Sequence, residues 1–368
     1  MGFELAMGAR VRKSPFFQAT VDAGVRAFTV YNRMYMPTSY GDPQAEYRRL
    51  TEGVAMWDVA VERQVQISGP DARDLVRHLL PRDLANLQIG RGKYVPVCDH
   101  NGILLNDPVL LQVDESTFWL SIADSDLLLW VRGIAAERGA DVSVTEPDVS
   151  PLAIQGPKAE DVVASMFGDW VRTLRYFWFQ DAILEGIPLV VARSGWSKQG
   201  GFELYLRDGF RGVDLWNIVA EAGRPFGIGP GTPNPVERTE SGLISYGADT
   251  DENANPYEMG LGRYVDLDRP DHFVGKAALK RLADSPFNRR RTGLFLDGGP
   301  IDMPTQPLTV TATGAPVGRL SVAVHSPRLD RMIGIGLLEP AAFEPDAVLA
   351  VQTDQGPRAA RVTDLPFI

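Results

Sequence analysis

Short apolar runs set between turn residues dominate the first two thirds of the chain. VQISG (65–69), PVLLQV (108–113), TFWLSIA (117–123), LAIQG (152–156), LVVARSG (189–195) and FELYL (202–206) are rich in β-branched or aromatic residues. Gly, Pro or Asp bounds each of them, which predicts strands. Other segments repeat apolar residues at three-and-four spacing and stop at Gly or Pro, which predicts helices. These are DARDLVRHLLP (71–81), SDLLLWVRGIAAERG (125–139), KAEDVVASMFG (158–168) and GVDLWNIVAEAG (212–223). The two kinds of segment do not alternate strictly, so an α+β architecture is expected.

SGPDARDLVRHLL (68–80) and QGPKAEDVVASMF (155–167) share the order strand, Gly-Pro, helix. They read either as two related α+β halves or as two ordinary strand-to-helix turns; Pro is favoured where a helix begins, because its missing N–H has no partner there. After FVGKAALKRL (273–282) the periodicity is lost in LADSPFNRRR. The remaining segments, TGLFLDGG, PLTVTATGAPVGRLSVAV, MIGIGLLEP, AVLAVQT and ARVTDLPFI, read as short strands with turn signals. A small all-β domain over 284–368 is predicted, with a hairpin connection at Thr313-Gly314-Ala315-Pro316.

A chain of 368 residues exceeds what one core usually serves, so two or three domains are expected. No run of eighteen apolar residues occurs, and MGFELAMGARVRKSPFF lacks the apolar stretch of a secretory leader, so a soluble cytoplasmic protein with no membrane partner is expected. Cys98 is the single cysteine and no Cys/His spacing matches a zinc site, so no metal is expected. Of the scattered histidines only His100, beside Asp99, is a candidate for chemistry. The formal charge of −10 argues against nucleic-acid binding and suits a small cationic substrate. GIGPGT (227–232) and GLGRYV (260–265) do not meet the dinucleotide-binding pattern, and no G-x-S-x-G elbow is present.

RSGWSKQGGFELYL (193–206) combines a Gly-rich turn with a carboxylate, Glu203, at the start of a strand. A carboxylate there is poorly placed for solubility, and in a pocket it can accept two parallel hydrogen bonds from an aminopyrimidinone edge. Trp196 and Tyr205 flank the turn as faces for a cationic group, and Lys198 is the nearest cation for a substrate carboxylate. Phe17, Tyr31 and Tyr35 are further aromatic candidates. In YVPVCDHNGILLNDPVLLQ (94–112), Asn106 and Asp107 lie between apolar runs. They serve either as a turn cap or as a buried functional pair, since an unpartnered buried carboxylate is costly. In VERTESGLISYGADTDENANPYEMGLGRYVDLD (236–268), a helix over 236–246 would put Arg238, Gly242 and Tyr246 on one face, with Gly242 permitting close approach. Asp249, Asp251 and Glu252 read most simply as a solvated loop. Arg289-Arg290-Arg291 reads as a solvated linker or a strand entry.

The order and spacing of these segments resemble the folate-binding aminomethyltransferase family of the glycine-cleavage T-protein type. SPLAIQGPKA resembles its strand-to-helix signature, RSGWSKQGGFE stands where that family has an Arg-Thr-Gly-Tyr-Thr-Gly turn ending in the pterin-binding Glu, and RTESGLISYG resembles its Arg-Leu-Glu-Ala-Gly helix. FVGKAAL, GAPVGRLSVAVHSPRL and IGIGLLEP also fit, so the resemblance spans nearly the whole chain. It implies a three-domain cloverleaf around a central folate site: an α+β domain from 1–50 with 150–230, a second from 51–149 with 231–283, and a β-barrel or jelly-roll domain over 284–368.

The resemblance implies tetrahydrofolate as methyl acceptor, Asp107 at the catalytic carboxylate's position, Glu203 at the pterin edge, and Tyr94, Ser121 and Arg238 completing the folate site. The chain departs from the family where Asn106 replaces an acidic neighbour and where Trp196-Ser197-Lys198-Gln199 replaces the clamp turn, which implies a different one-carbon donor. WLSIADSDLLLW, SGWSKQGGFELYL and NPYEMGLGRYVDLD are most like the branch that demethylates dimethylsulfoniopropionate. That implies methyl transfer from a sulfonium to tetrahydrofolate, with Trp196, Tyr205, Lys198, Phe17 and Tyr31 toward the donor. A methylated amine, an aryl methyl ether and a noncatalytic folate-binding role are the alternatives, and a homodimer stays open.

Overall fold

The computed structural model describes residues 8–286 and 288–368. The reading of the first seven residues as free of a leader, and of Phe287 within LADSPFNRRR, lies outside the described residues. Among the described residues no helix is long and apolar enough to cross a membrane. Every strand and helix segment read from periodicity between 64 and 223 is present, with ends moved by a few residues.

The chain separates into two compact units: Met1–Pro70 with Leu87–Lys93 and Val109–Pro233, and Asp71–Asn86 with Tyr94–Pro108 and Asn234–Ile368. The division falls at other places than the boundaries read from the sequence. Residues 109–149 group with 150–230, because Leu111 and Trp119 pack with Val190 and Tyr205, and Ala55–Asp58 pairs with Ser150–Gln155 in one sheet.

A six-stranded sheet organises the first unit, in the order Phe179–Leu184, Ile187–Ala192, Gly201–Leu206, Ser150–Gln155, Ala55–Asp58, Gly229–Pro230. Strand side chains alternate between faces. Phe202, Leu204 and Leu206 therefore join Leu152, Ile154, Leu189 and Val191 in the main core. Val162 and Val163 of the helix Ala159–Phe167 and Leu215, Trp216 and Val219 of the helix Gly212–Gly223 complete that core. Truncating one such residue, as in Leu204→Ala, costs about 2–5 kcal/mol. Glu203 and Tyr205 point to the opposite face, where Tyr205 packs with Leu111, Trp119 and Val190. A hairpin of Ala27–Tyr31 and Met34–Ser39, not read from the sequence, turns through Asn32 and Arg33, both with positive φ.

In the second unit, a six-stranded barrel closes in the order Arg290–Leu296, Arg331–Leu338, Ala315–Ser326, Leu308–Ala312, Leu349–Thr353, Gly356–Thr363. The first and last of these pair, which leaves no open edge. The expected hairpin is there: Ala312 pairs Ala315 across a two-residue turn, Thr313-Gly314, with positive φ at both positions. One expectation is overturned. The helix over 236–246 is only Pro235–Glu240, and Gly242 takes φ +63° as the chain leaves it. Arg238, Gly242 and Tyr246 therefore share no helix face. Gly242 does permit close approach, but of the chain's own segment: a Cβ there would lie 3.2 Å from Leu365 Cβ and from Pro366 Cα.

Candidate functional site

Glu203 lies within the strand Gly201–Leu206 and is 5% exposed. The two-residue period puts the Tyr205 hydroxyl beside it, donating to Glu203 Oε2 at 3.1 Å. The Ser194 hydroxyl donates to the same oxygen. Ser121 hydrogen-bonds the Tyr205 phenol, and Gln64 Nε2 donates to Ser121 Oγ at 2.9 Å. Glu203 and Ser121 are thus brought together, with Tyr205 between them. Burial raises the Glu203 pKa above the usual carboxylate range, and the two hydroxyls oppose that only in part. Because both hydroxyls end on Oε2, recognition of a further donor falls to Oε1.

The Gly-rich turn is wrapped around a residue that sequence reasoning missed. Gln155, 1% exposed at the end of the strand Ser150–Gln155, donates through Nε2 to Ser194 O at 3.1 Å and Phe202 O at 3.3 Å. Its Oε1 accepts from Ser197 Oγ at 2.8 Å. A Cβ on Gly195 would lie 2.0 Å from Gln155 Nε2, and one on Gly201 2.4 Å from it, so both positions must be glycine. Trp196 is half-buried and Lys198 exposed on this turn. A polar residue closing an apolar strand, as in LAIQG, was the available signal for Gln155; Ser194 had none beyond its place in the turn.

The remaining aromatic candidates of this unit occupy different settings. Tyr205 is 1% exposed and enclosed by Leu111, Trp119 and Val190. That corrects its reading as a ring face for a cation: the hydroxyl, not the ring, addresses the site. Phe17 stacks on Phe28 at 5.1 Å and meets Tyr35 at 5.9 Å, and Lys13 Nζ lies 4.7 Å from its ring centroid. Tyr31 is half-buried against the main core.

The second carboxylate, Asp107, follows the short strand Leu104–Asn106 in the other unit. Tyr94 OH donates to Asp107 Oδ2 at 2.7 Å, so these two predicted residues do meet. Asn106 is fully buried. Asp107 keeps part of its surface open, yet packing around the carboxyl pushes its pKa up to about 7, against the opposing Tyr94 hydrogen bond. The Tyr94 ring is braced edge-on by Tyr264 at 5.4 Å, over which the Arg82 guanidinium sits at 4.6 Å.

Arg238, expected at the folate, pairs with Asp249: its Nη1 donates to both Asp249 oxygens, at 2.9 and 3.2 Å. Asp249 also accepts from Ser321 Oγ at 2.5 Å and Ser245 N at 3.0 Å, with Arg291 Nε 3.5 Å away. Burial pushes the Asp249 pKa up, but Arg238 and Arg291 outweigh it and hold the carboxyl below its usual range. Asp249 is 2% exposed, which overturns its reading as a solvated loop charge, and Asp251 pairs with Arg289 at 2.6 Å; Glu252 is exposed as expected. The three arginines enter the strand Arg290–Leu296, with Arg291 Nη2 donating to Gly242 O and Leu243 O, both at 3.0 Å. The signal missed was charge balance: an acidic cluster and a basic run of similar size, each beside apolar sequence.

The GCVT N-terminal domain matches residues 16–269, and the glycine cleavage T-protein C-terminal barrel domain matches residues 289–368. The chain is 43% identical to a protein of Ruegeria pomeroyi named dimethylsulfoniopropionate demethylase DmdA, over 96% of this chain and 97% of that one. It is 28% identical to an aminomethyltransferase of Saccharopolyspora erythraea, over 97% and 98% of the two chains. The fold is that of the glycine cleavage system aminomethyltransferase T from Bartonella henselae, with a TM-score of 0.84 at 21% identity, covering 97% of this chain and 98% of that one. With both domain models matched in chain order, and the α+β unit and closed barrel in place, the chain belongs to the glycine cleavage T-protein family.

Proposed function

We propose that the chain is a tetrahydrofolate-dependent methyltransferase that demethylates dimethylsulfoniopropionate, giving 5-methyltetrahydrofolate and 3-(methylthio)propionate. The observation that carries this reading is the near full-length identity with the relative of that name. The residues present fit the folate. Glu203 is a sealed carboxylate with Oε2 already held by two hydroxyls, which suits Oε1 to the N–H donors of a pterin edge.

Tetrahydrofolate, when bound, supplies the methyl acceptor, a secondary amine that loses one proton as the carbon–nitrogen bond forms and sulfur keeps the pair of the broken carbon–sulfur bond. Asp107 takes up that proton. Its pKa near 7 leaves a substantial ionised fraction at neutral pH while keeping it a competent base, and Tyr94 fixes the oxygen opposite. A sulfonium is a good leaving group without protonation, so no protein acid is needed on the donor side. The half-buried Trp196 supplies a face for the onium charge, an attraction of roughly 0.5–2 kcal/mol. Lys198 meets the donor carboxylate.

The test is turnover of purified protein with tetrahydrofolate against dimethylsulfoniopropionate, glycine betaine and methoxyaromatics, following 5-methyltetrahydrofolate. Product from the sulfonium alone is the expected result. Product only from an amine or ether would move the donor assignment, and none from any would leave a folate-binding protein without this activity.

A further inference from the structure

We infer that Gln155 is a positioning residue that couples the pterin carboxylate to the donor turn, so that both halves of the proposed reaction depend on one buried amide. The inference rests on the function proposed above. Its two ends reach different parts of that function. Through Nε2 the amide holds the carbonyl of Ser194, whose hydroxyl holds Glu203 Oε2, and the carbonyl of Phe202, the residue before Glu203. Through Oε1 it holds Ser197, which stands between Trp196 and Lys198.

A second feature shows that the contact is built in. Gly195 and Gly201 lack side chains where the amide enters, and Gly156 N donates to Gly200 O at 2.9 Å, closing the turn beside it. Only a side chain with a donor and an acceptor at the end of two methylenes satisfies all three partners. Glutamate keeps the shape and the acceptor but sets a carboxylate against the two carbonyls. Leucine leaves all three partners unmet.

Two variants separate this role from mere support. Ser197→Ala removes the Oε1 arm alone: KM for dimethylsulfoniopropionate rises about tenfold, while the tetrahydrofolate Kd from calorimetry stays within about twofold. Gln155→Glu disturbs both arms: KM and Kd each rise about tenfold or more, with faster amide exchange confined to residues 194–202. Unchanged exchange in that segment with unchanged Kd in Gln155→Glu overturns the inference, as does an unchanged KM in Ser197→Ala. Should Gln155→Glu fail to fold, Ser197→Ala decides through its KM and through faster exchange at 196–199. If the wild type makes no 5-methyltetrahydrofolate the reading of function fails, and exchange in the two variants still tests the positioning role.

Discussion

Glu203 in the first unit and Asp249 in the second are both sealed from solvent, yet their proton affinities move in opposite directions. Around Glu203 the partners are neutral hydroxyls from Ser194 and Tyr205, which stabilise the anion too weakly to offset burial. Around Asp249 two guanidiniums more than offset it. Burial alone therefore does not mark a working carboxylate; the charge of its partners decides. Asp107 falls with Glu203, since its direct partner is the Tyr94 hydroxyl. The two acids proposed for chemistry have neutral hydroxyl partners, whereas Asp249 is held by two guanidiniums.

Four changes test that contrast. The largest effect is expected from Asp107→Asn, which removes the proposed base and should lower kcat by roughly 10²–10⁴-fold in steady-state assays. A loss under tenfold would leave Asp107 without its catalytic role. The same variant carries a stability signature. The folded pKa of Asp107 lies above its ordinary value, so the native state holds the extra proton, and stability declines as pH rises from about 4 to about 7. Denaturant unfolding across that window should slope less steeply in Asp107→Asn than in the wild type.

Asp249→Asn should act on stability instead, by about 3–5 kcal/mol in denaturant unfolding, because it strands two buried guanidiniums. Here the sign reverses: the folded pKa is depressed, so the contribution is present above the ordinary carboxylate pKa and lost as pH falls through the folded value. A stable Asp249→Asn protein with collapsed kcat would erase the distinction between the two kinds of buried acid. Glu203→Gln should weaken tetrahydrofolate binding by roughly 10–100-fold in calorimetry with the fold intact, a loss of about 1.5–3 kcal/mol for a hydrogen bond to a charged acceptor. Tyr205→Phe is the mildest. It removes one neutral donor from Oε2 while leaving the ring packing, and should weaken folate by roughly 2–10-fold, about 0.5–1.5 kcal/mol. An effect as large as that of Glu203→Gln would mean the hydroxyl touches the ligand itself.

How much of this was legible in the sequence depended on range. Strands such as FELYL are set by a few consecutive residues between turn signals, and were legible; that Glu203 faces away from Leu204 emerges from the folded sheet. The hairpin at 27–39 escaped because its turn is Asn32-Arg33, without the glycine that usually announces one. The helix from Pro235 was read too long because spacing continues past Glu240, while Gly242 leaves it in a left-handed turn. Candidate residues carried by the family resemblance include a meeting pair, Tyr94 and Asp107. What no local pattern contained was pairing across distance: Asp249 with Arg291 and Ser321, or Gln155 with a turn forty residues on.

That distance also sets an order in time. The Glu203 clamp draws on Gln64, Ser121, Gln155, Ser194 and Tyr205, all made before residue 206. The turn that leaves Arg238 at Gly242 is closed by Leu365 and Pro366, and Phe367 N donates to Glu240 O at 2.9 Å. Domains generally fold as units, N-terminal first, as the chain is synthesised. A nascent chain therefore has the makings of its Glu203 cluster long before the arginine-braced acid of its second unit can be locked, and for that interval the apolar side chains of the unclosed barrel, Leu294, Leu320 and Val351 among them, are what a chaperone would have to shelter.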